Sequence, residues 1–148
     1  MGRRLFLSLV FIMCTHLAYA QGLAKQEAVA YFNEGVELQR DGDFEGAITA
    51  YQKVLLLAPE NRQFQKYISN NSGVMHAYQG NFKLAEQAFK EALSIDPHYK
   101  PASLNLGLIY DKYGDRLRAL EYWAQALNLE AMKPKTFIME DEQPIAEE

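Results

Sequence analysis

Small and apolar residues recur along this chain in one register. A Gly is followed seven residues later by a second Gly, and five beyond that by an Ala: Gly35/Gly42/Ala47, Gly73/Gly80/Ala85 and Gly107/Gly114/Ala119. Four residues after each Ala stands an aromatic (Tyr51, Phe89, Trp123), and three further on come Val54, Ala92 and Ala126. Pro59 and Pro97 close the first two copies. The second and third copies are 34 residues apart, the first and second 38. Repetition at such a period is the mark of an array whose units stack side by side. The pattern predicts helices over 24–40, 44–57, 63–79, 82–95, 101–113 and 116–130.

The residue types fit that prediction physically. The first Gly and the Ala of each copy are small, so two antiparallel helices can approach closely, and the aromatic fills the space beside them. Gly42, Gly80 and Gly114 stand where a first helix must stop, and a positive φ costs Gly little there. Asp43, Asn81 and Asp115 follow as expected N-caps of the second helices. Pro101 suits the first turn of the helix it opens.

With these residues in place the sequence resembles the tetratricopeptide repeat (TPR) family, whose period is about 34 residues. The repeats align as 28–61, 66–99 and 100–133. Departures fall on the first half of the motif. Its Trp position holds Tyr31, Ser69 and Ser103, its Leu position holds Glu34, Ser72 and Leu106, and Ala131 replaces the closing Pro of the third repeat. The resemblance implies an all-α, right-handed superhelical array of three helix–turn–helix units. The four residues Arg62-Gln63-Phe64-Gln65, additional to the period, amount to about one helical turn. They are expected to lengthen the third helix at its N-terminus and leave the array intact.

Both ends of the chain differ from the repeats. Arg3 and Arg4 precede an apolar run from Leu5 to Cys14, and Ala18-Tyr19-Ala20 has the form of a cleavage site, so residues 1–20 read as a secretory signal peptide. The run is interrupted by Ser8, Thr15 and His16 and is short for a spanning helix. Met13 is too bulky to precede a lipidated Cys14. The expectation is export to the periplasm or beyond the cell, with no integral membrane segment after cleavage. Removing Arg3 and Arg4 from 15 basic residues leaves 13 against 19 acidic ones, a net charge of −6. That balance disfavours nucleic acid as a partner. Cleavage would also remove Cys14, the only cysteine, and with it thiol chemistry and disulfides. Residues 134–148 contain two prolines and an acidic run and read as a disordered acidic tail. The alternative is that Phe137-Ile138-Met139 folds back over the last helix pair, which otherwise lacks a polar cap.

Catalytic signals are absent from the pattern. The mature chain would hold His76 and His98. His76 falls at the family's Tyr position, where a packing role is expected, and nothing stands at metal-ligand spacing from His98. The glycines lie at helix contacts and turns, not in phosphate loops. No enzyme activity, cofactor or metal is expected. What remains is the concave groove that the resemblance implies, lined by the first helix of each pair. Carried over by position, the first repeat offers Val29, Phe32, Asn33, Val36, Gln39 and Arg40. The second offers Tyr67, Asn70, Asn71, Val74, Ala77 and Tyr78, and the third Pro101, Leu104, Asn105, Leu108, Asp111 and Lys112. Val36, Val74 and Leu108 are expected to pack between repeats. The family's clamp for C-terminal carboxylates is matched only at Asn71. Phe32, Tyr67, Tyr78 and Leu104 suit an apolar or aromatic-bearing peptide or helix instead. Asn33, Asn71 and Asn105 recur at one repeat position, and as a ladder they could meet a peptide backbone. The sequence therefore reads as a non-catalytic adaptor or assembly scaffold for another exported or envelope protein. The alternative is a homo-oligomer stacking through its uncapped third repeat.

Overall fold

The computed structural model describes the backbone of residues 2–128 and the side chains of residues 10–128. It contains six helices: α1 (Gly2–Asp41), α2 (Phe44–Leu57), α3 (Arg62–Tyr78), α4 (Phe82–Ile95), α5 (Lys100–Lys112) and α6 (Arg116–Leu127). No strand occurs among the described residues. Consecutive helices pair as α1/α2, α3/α4 and α5/α6, and α4 also packs on α5. The result is the expected all-α solenoid of three hairpins.

The hairpins close where the glycine register requires. Gly42, Gly80 and Gly114 have φ of 84°, 79° and 79°, a left-handed conformation that a side chain would strain. A Cβ built on Gly35 would stand 2.5 Å from the Tyr51 ring, and one on Gly73 2.5 Å from the Phe89 ring. One on Gly107 would run into the Trp123 indole. The small residue and the ring thus occupy complementary space in every hairpin. The core divides into two clusters. One joins Ala28, Ala47, Tyr51, Val54, Ile68 and Met75; the other joins Ala85, Phe89, Ala92, Leu106, Ile109 and Tyr110. Helix α3 contributes to the first and leans Val74 and Ala77 on the second.

Helix boundaries agree with the pattern for α2 and α4 and shift by one residue for α3 and α5. Two ends differ. α1 does not begin near residue 24 but runs unbroken from Gly2, because no Pro and no capping side chain interrupts it and Gly22 alone is insufficient to stop a helix. At a rise of 1.5 Å per residue, its 40 residues span about 60 Å. Packing nevertheless begins where the repeat does: Phe11, Met13, Leu17 and Tyr19 are exposed, and Ala28 is the first fully buried side chain. α6 stops at Leu127 rather than 130, because Asn128 turns left-handed at φ 54°. Residues 129–148, and with them the acidic tail and Phe137-Ile138-Met139, lie outside the described residues.

The insertion lengthens α3 as anticipated, and Asn61 caps the new turn by accepting from the Gln63 and Phe64 amides. That turn is tied to the far end of α4. Arg62 donates to the Ile95 carbonyl at 2.8 Å, and Lys66 pairs with Asp96 at 2.7 Å. Asp43 and Asp115 cap α2 and α6, whereas Asn81 makes no side-chain cap bond to α4. Asn81 is exposed.

Candidate functional site

The expected groove residues separate into three groups. The first surrounds a cavity of about 510 Å³ where the C-terminal turns of α1 and α3 meet the start of α2. Val36, Gln39, Arg40, Asn71, Val74 and Tyr78 line it, together with Gly42 and Phe44. Tyr78 is 80% exposed and its ring lies 6.3 Å from that of Phe44. Phe44 belongs to a second helix, outside the groove positions of the repeat; its recurrence as Phe82 one repeat later is the sequence signal for it. The Arg40 guanidinium is engaged by Glu37 on its own helix.

The second group is internal. Asn71 Nδ2 donates to the Tyr51 hydroxyl at 2.9 Å, and that hydroxyl donates to Gln39 Oε1 at 3.1 Å. Asn70 Nδ2 donates to Asn71 Oδ1 at 3.5 Å, and Asn105 Nδ2 donates to Asn70 Oδ1 at 3.1 Å. One polar chain therefore runs through all three repeats, from α1 by way of Tyr51 and α3 to α5. The ladder must be corrected accordingly. Asn33 is exposed and outside the chain, while Asn71 and Asn105 each spend a donor on the protein itself. Asn70 is buried, a bridge between repeats and not a contact for a guest. An amide carries two donors and one acceptor oxygen, so Asn71, which lines the cavity, keeps one N–H for a ligand. Burial pushes the Tyr51 phenol up, against the lowering effect of its Asn71 bond, which keeps the hydroxyl protonated as the donor this chain needs.

The third group packs. Phe32 meets Tyr51, Phe64 and Tyr67 with ring centroids 5.8, 5.5 and 5.9 Å apart, and Tyr67 continues to Tyr99 at 5.7 Å. Phe32 and Tyr67 are thus half-buried in an inter-repeat aromatic column, which the inserted Phe64 completes. The expectation for Val36 and Leu108 was the reverse of what is found. Both are exposed, Leu108 at 60%: Val36 faces the cavity, and Leu108 stands on the third repeat, with no further repeat among the described residues to cover it. Val74 does pack, against the second core cluster. Val29, Leu104, Asp111 and Lys112 are exposed outside the cavity, and Lys112 stands over the Phe82 ring at 4.6 Å. Pro101 is also exposed, at the opposite end of α5.

His76 is half-buried with its Nδ1 unpartnered, so the side chain packs without being satisfied, and His98 donates its backbone N–H to Asp96. Among the described residues, no group of acidic, Cys or His side chains could hold a metal ion, and no helix is long and apolar enough to cross a membrane.

The profile of the family described as tetratricopeptide repeat matches residues 28–61 and 67–99. Similar proteins include the Photosystem I assembly protein Ycf3 of Synechococcus elongatus, 30% identical over 120 residues, covering 70% of this chain and 68% of the relative. The protein of the same name from Rippkaea orientalis is 29% identical over 118 residues, with 70% and 68% covered. Among solved structures, MamA superposes with a TM-score of 0.58 at 26% identity, covering 72% of this chain and 60% of MamA. The second TPR domain of Spaghetti (RPAP3), solved with an HSP90 peptide, superposes with a TM-score of 0.61 at 21% identity, covering 78% and 96%.

Proposed function

The chain belongs to the tetratricopeptide repeat family, and on that premise we propose that it is a non-catalytic adaptor holding a segment of another exported or envelope protein in its concave face. The observation that carries this reading is the cavity between α1 and α3. It combines exposed apolar surface at Val36 and Tyr78 with an uncommitted N–H at Asn71, beside an otherwise internally satisfied polar chain. An extended peptide or helix needs such a pairing, with apolar anchors for affinity and a few polar groups for register. The relatives are named as assembly proteins, which suits a role in bringing other proteins together. Export rests on the N-terminal composition, and its test is the intact mass of the protein recovered from its own envelope: loss of residues 1–20 supports it. Binding is tested by cross-linking in the native envelope with mass spectrometry of the products. Val36→Arg should remove a bound partner while leaving helicity intact; retention of every cross-link would refute the groove.

Self-association through the third repeat is the second reading, and one contrast favours it. Tyr51 and Phe89 are fully buried, whereas Trp123 at the same position is only partly so, and Leu117, Leu120 and Leu127 on α6 are exposed, the last at 56%. Light scattering across a concentration series distinguishes the two readings, since a mass fixed at one chain would eliminate stacking.

A further inference from the structure

The repeats place equivalent side chains in equivalent slots, so one junction can be compared with the next. At the junction of repeats two and three, Phe82 opens α4 and Lys112 ends α5, with the ammonium 4.6 Å from the ring centroid. At the junction of repeats one and two, the same two positions hold Phe44 and Tyr78, two rings 6.3 Å apart and inclined at 35°. Lysines and arginines elsewhere in the molecule stand over Tyr31, Tyr67, Tyr99 and Tyr110. Among the described residues no cation stands over Phe44 or Tyr78. The position that a lysine of this chain holds at one junction is taken at the other by Tyr78, whose exposed ring forms with Phe44 an aromatic corner on the 510 Å³ cavity.

Two further features give that corner a sign. The cavity lies against the C-terminal turns of α1 and α3, which end at Asp41 and Tyr78. The dipoles of α1 and α3 present their negative ends there, where cations are favoured, and the opposing positive end of α2 is capped by the Asp43 carboxylate. The one cationic side chain in the lining, Arg40, is paired with Glu37, and the whole chain carries a net charge of −4. Aromatic faces attract ammonium and guanidinium groups through the ring quadrupole. The apolar stem of such a side chain would lie along Val36 and Val74, its head against the rings. We infer that the cavity takes a lysine or arginine side chain of the partner polypeptide, seated on the Phe44–Tyr78 pair as Lys112 is seated on Phe82. The inference rests on the groove reading above and adds the chemistry of the residue it selects.

Random dodecapeptides displayed on phage and selected on the full chain test it. Recovered peptides should carry a basic residue in common. In a synthesised winner, replacing that residue by norleucine, which keeps the stem and removes the charge, should weaken binding about three- to tenfold. Tyr78→Ala should cost a similar factor with the wild-type peptide and nothing further with the norleucine one. Tyr78 is largely exposed, so this variant keeps its fold, which circular dichroism verifies. Peptides that lose affinity with Val36→Arg but show no basic preference would overturn the cation site and leave the groove standing. Failure to select any peptide sensitive to Val36→Arg would overturn both.

Discussion

Gly73→Ala separates close packing from mere helix propensity. In an open helix the change would stabilise by about 1 kcal/mol, because Ala holds a helical backbone at lower entropic cost. Here the new Cβ would stand 2.5 Å from Phe89 Cε1, 2.6 Å from Cδ1 and 2.9 Å from Cζ. Ordinary carbon contacts lie near 3.5–4.0 Å, so the ring or the helix must move by about 1 Å. Phe89 is 1% exposed and packed with Ala85 and Ala92 against α5, which leaves the ring no room to retreat. Overpacking of this kind costs about 1–3 kcal/mol, and the upper part of that range applies to a boxed ring. The net expectation is a loss of about 1–2 kcal/mol. With a urea slope of about 1–3 kcal/mol/M for a small domain, the midpoint followed by circular dichroism should fall by about 0.5–1 M. Phe89→Leu in the same chain should relieve the clash, so the pair should cost less than the sum of the singles. Gly107→Ala should cost less than Gly73→Ala, since the half-buried Trp123 can shift outward. Gly73→Ala at wild-type stability, or strict additivity with Phe89→Leu, would refute the reasoning.

Tyr51→Phe removes the hydroxyl between Gln39 and Asn71; the expected cost is about 1–2 kcal/mol in the same urea titration. Asn70→Ala strands Asn105 and Asn71 at a buried junction and should cost about 1–3 kcal/mol, visible as earlier hydrogen exchange in α3 and α5. The Lys90 ammonium and the Tyr110 hydroxyl both bond the Glu86 carboxylate and hold its pKa below the ordinary 4.5. Its folded value being the lower one, its contribution is present above about pH 4.5 and is lost as pH falls through the folded value. Glu86→Gln should therefore flatten the acid limb of stability, and an unchanged limb would contradict the assignment.

The solenoid was legible because its grammar is local. Gly35, Gly73 and Gly107 and their rings repeat at fixed spacing, and each glycine turn closes the helix before it. Even the inserted turn at Arg62 could be placed, since four residues nearly preserve helical phase. The lining of the groove was less legible, because position within a repeat does not decide which of two neighbours fills a gap. Phe32 and Tyr67 pack through Phe64, an aromatic outside the repeat grammar, whereas Val36 faces the cavity and Leu108 stays in solvent. The amides misled for a similar reason. Asn33, Asn71 and Asn105 share one position, yet only Asn71 and Asn105 have the adjacent Asn70 to bridge them. Phe44 escaped notice because it belongs to a second helix and reaches the cavity only through the hairpin turn.

The most direct test of a guest chain in this groove is site-specific photo-cross-linking in the native cell. Benzoylphenylalanine is placed either at position 78, on the cavity, or at position 56, where Leu56 is 81% exposed on α2 and outside it. The account predicts one discrete adduct from position 78, abolished by Val36→Arg, and none of that mass from position 56. Equal adducts from both positions, or an adduct at 78 indifferent to Val36→Arg, would contradict it.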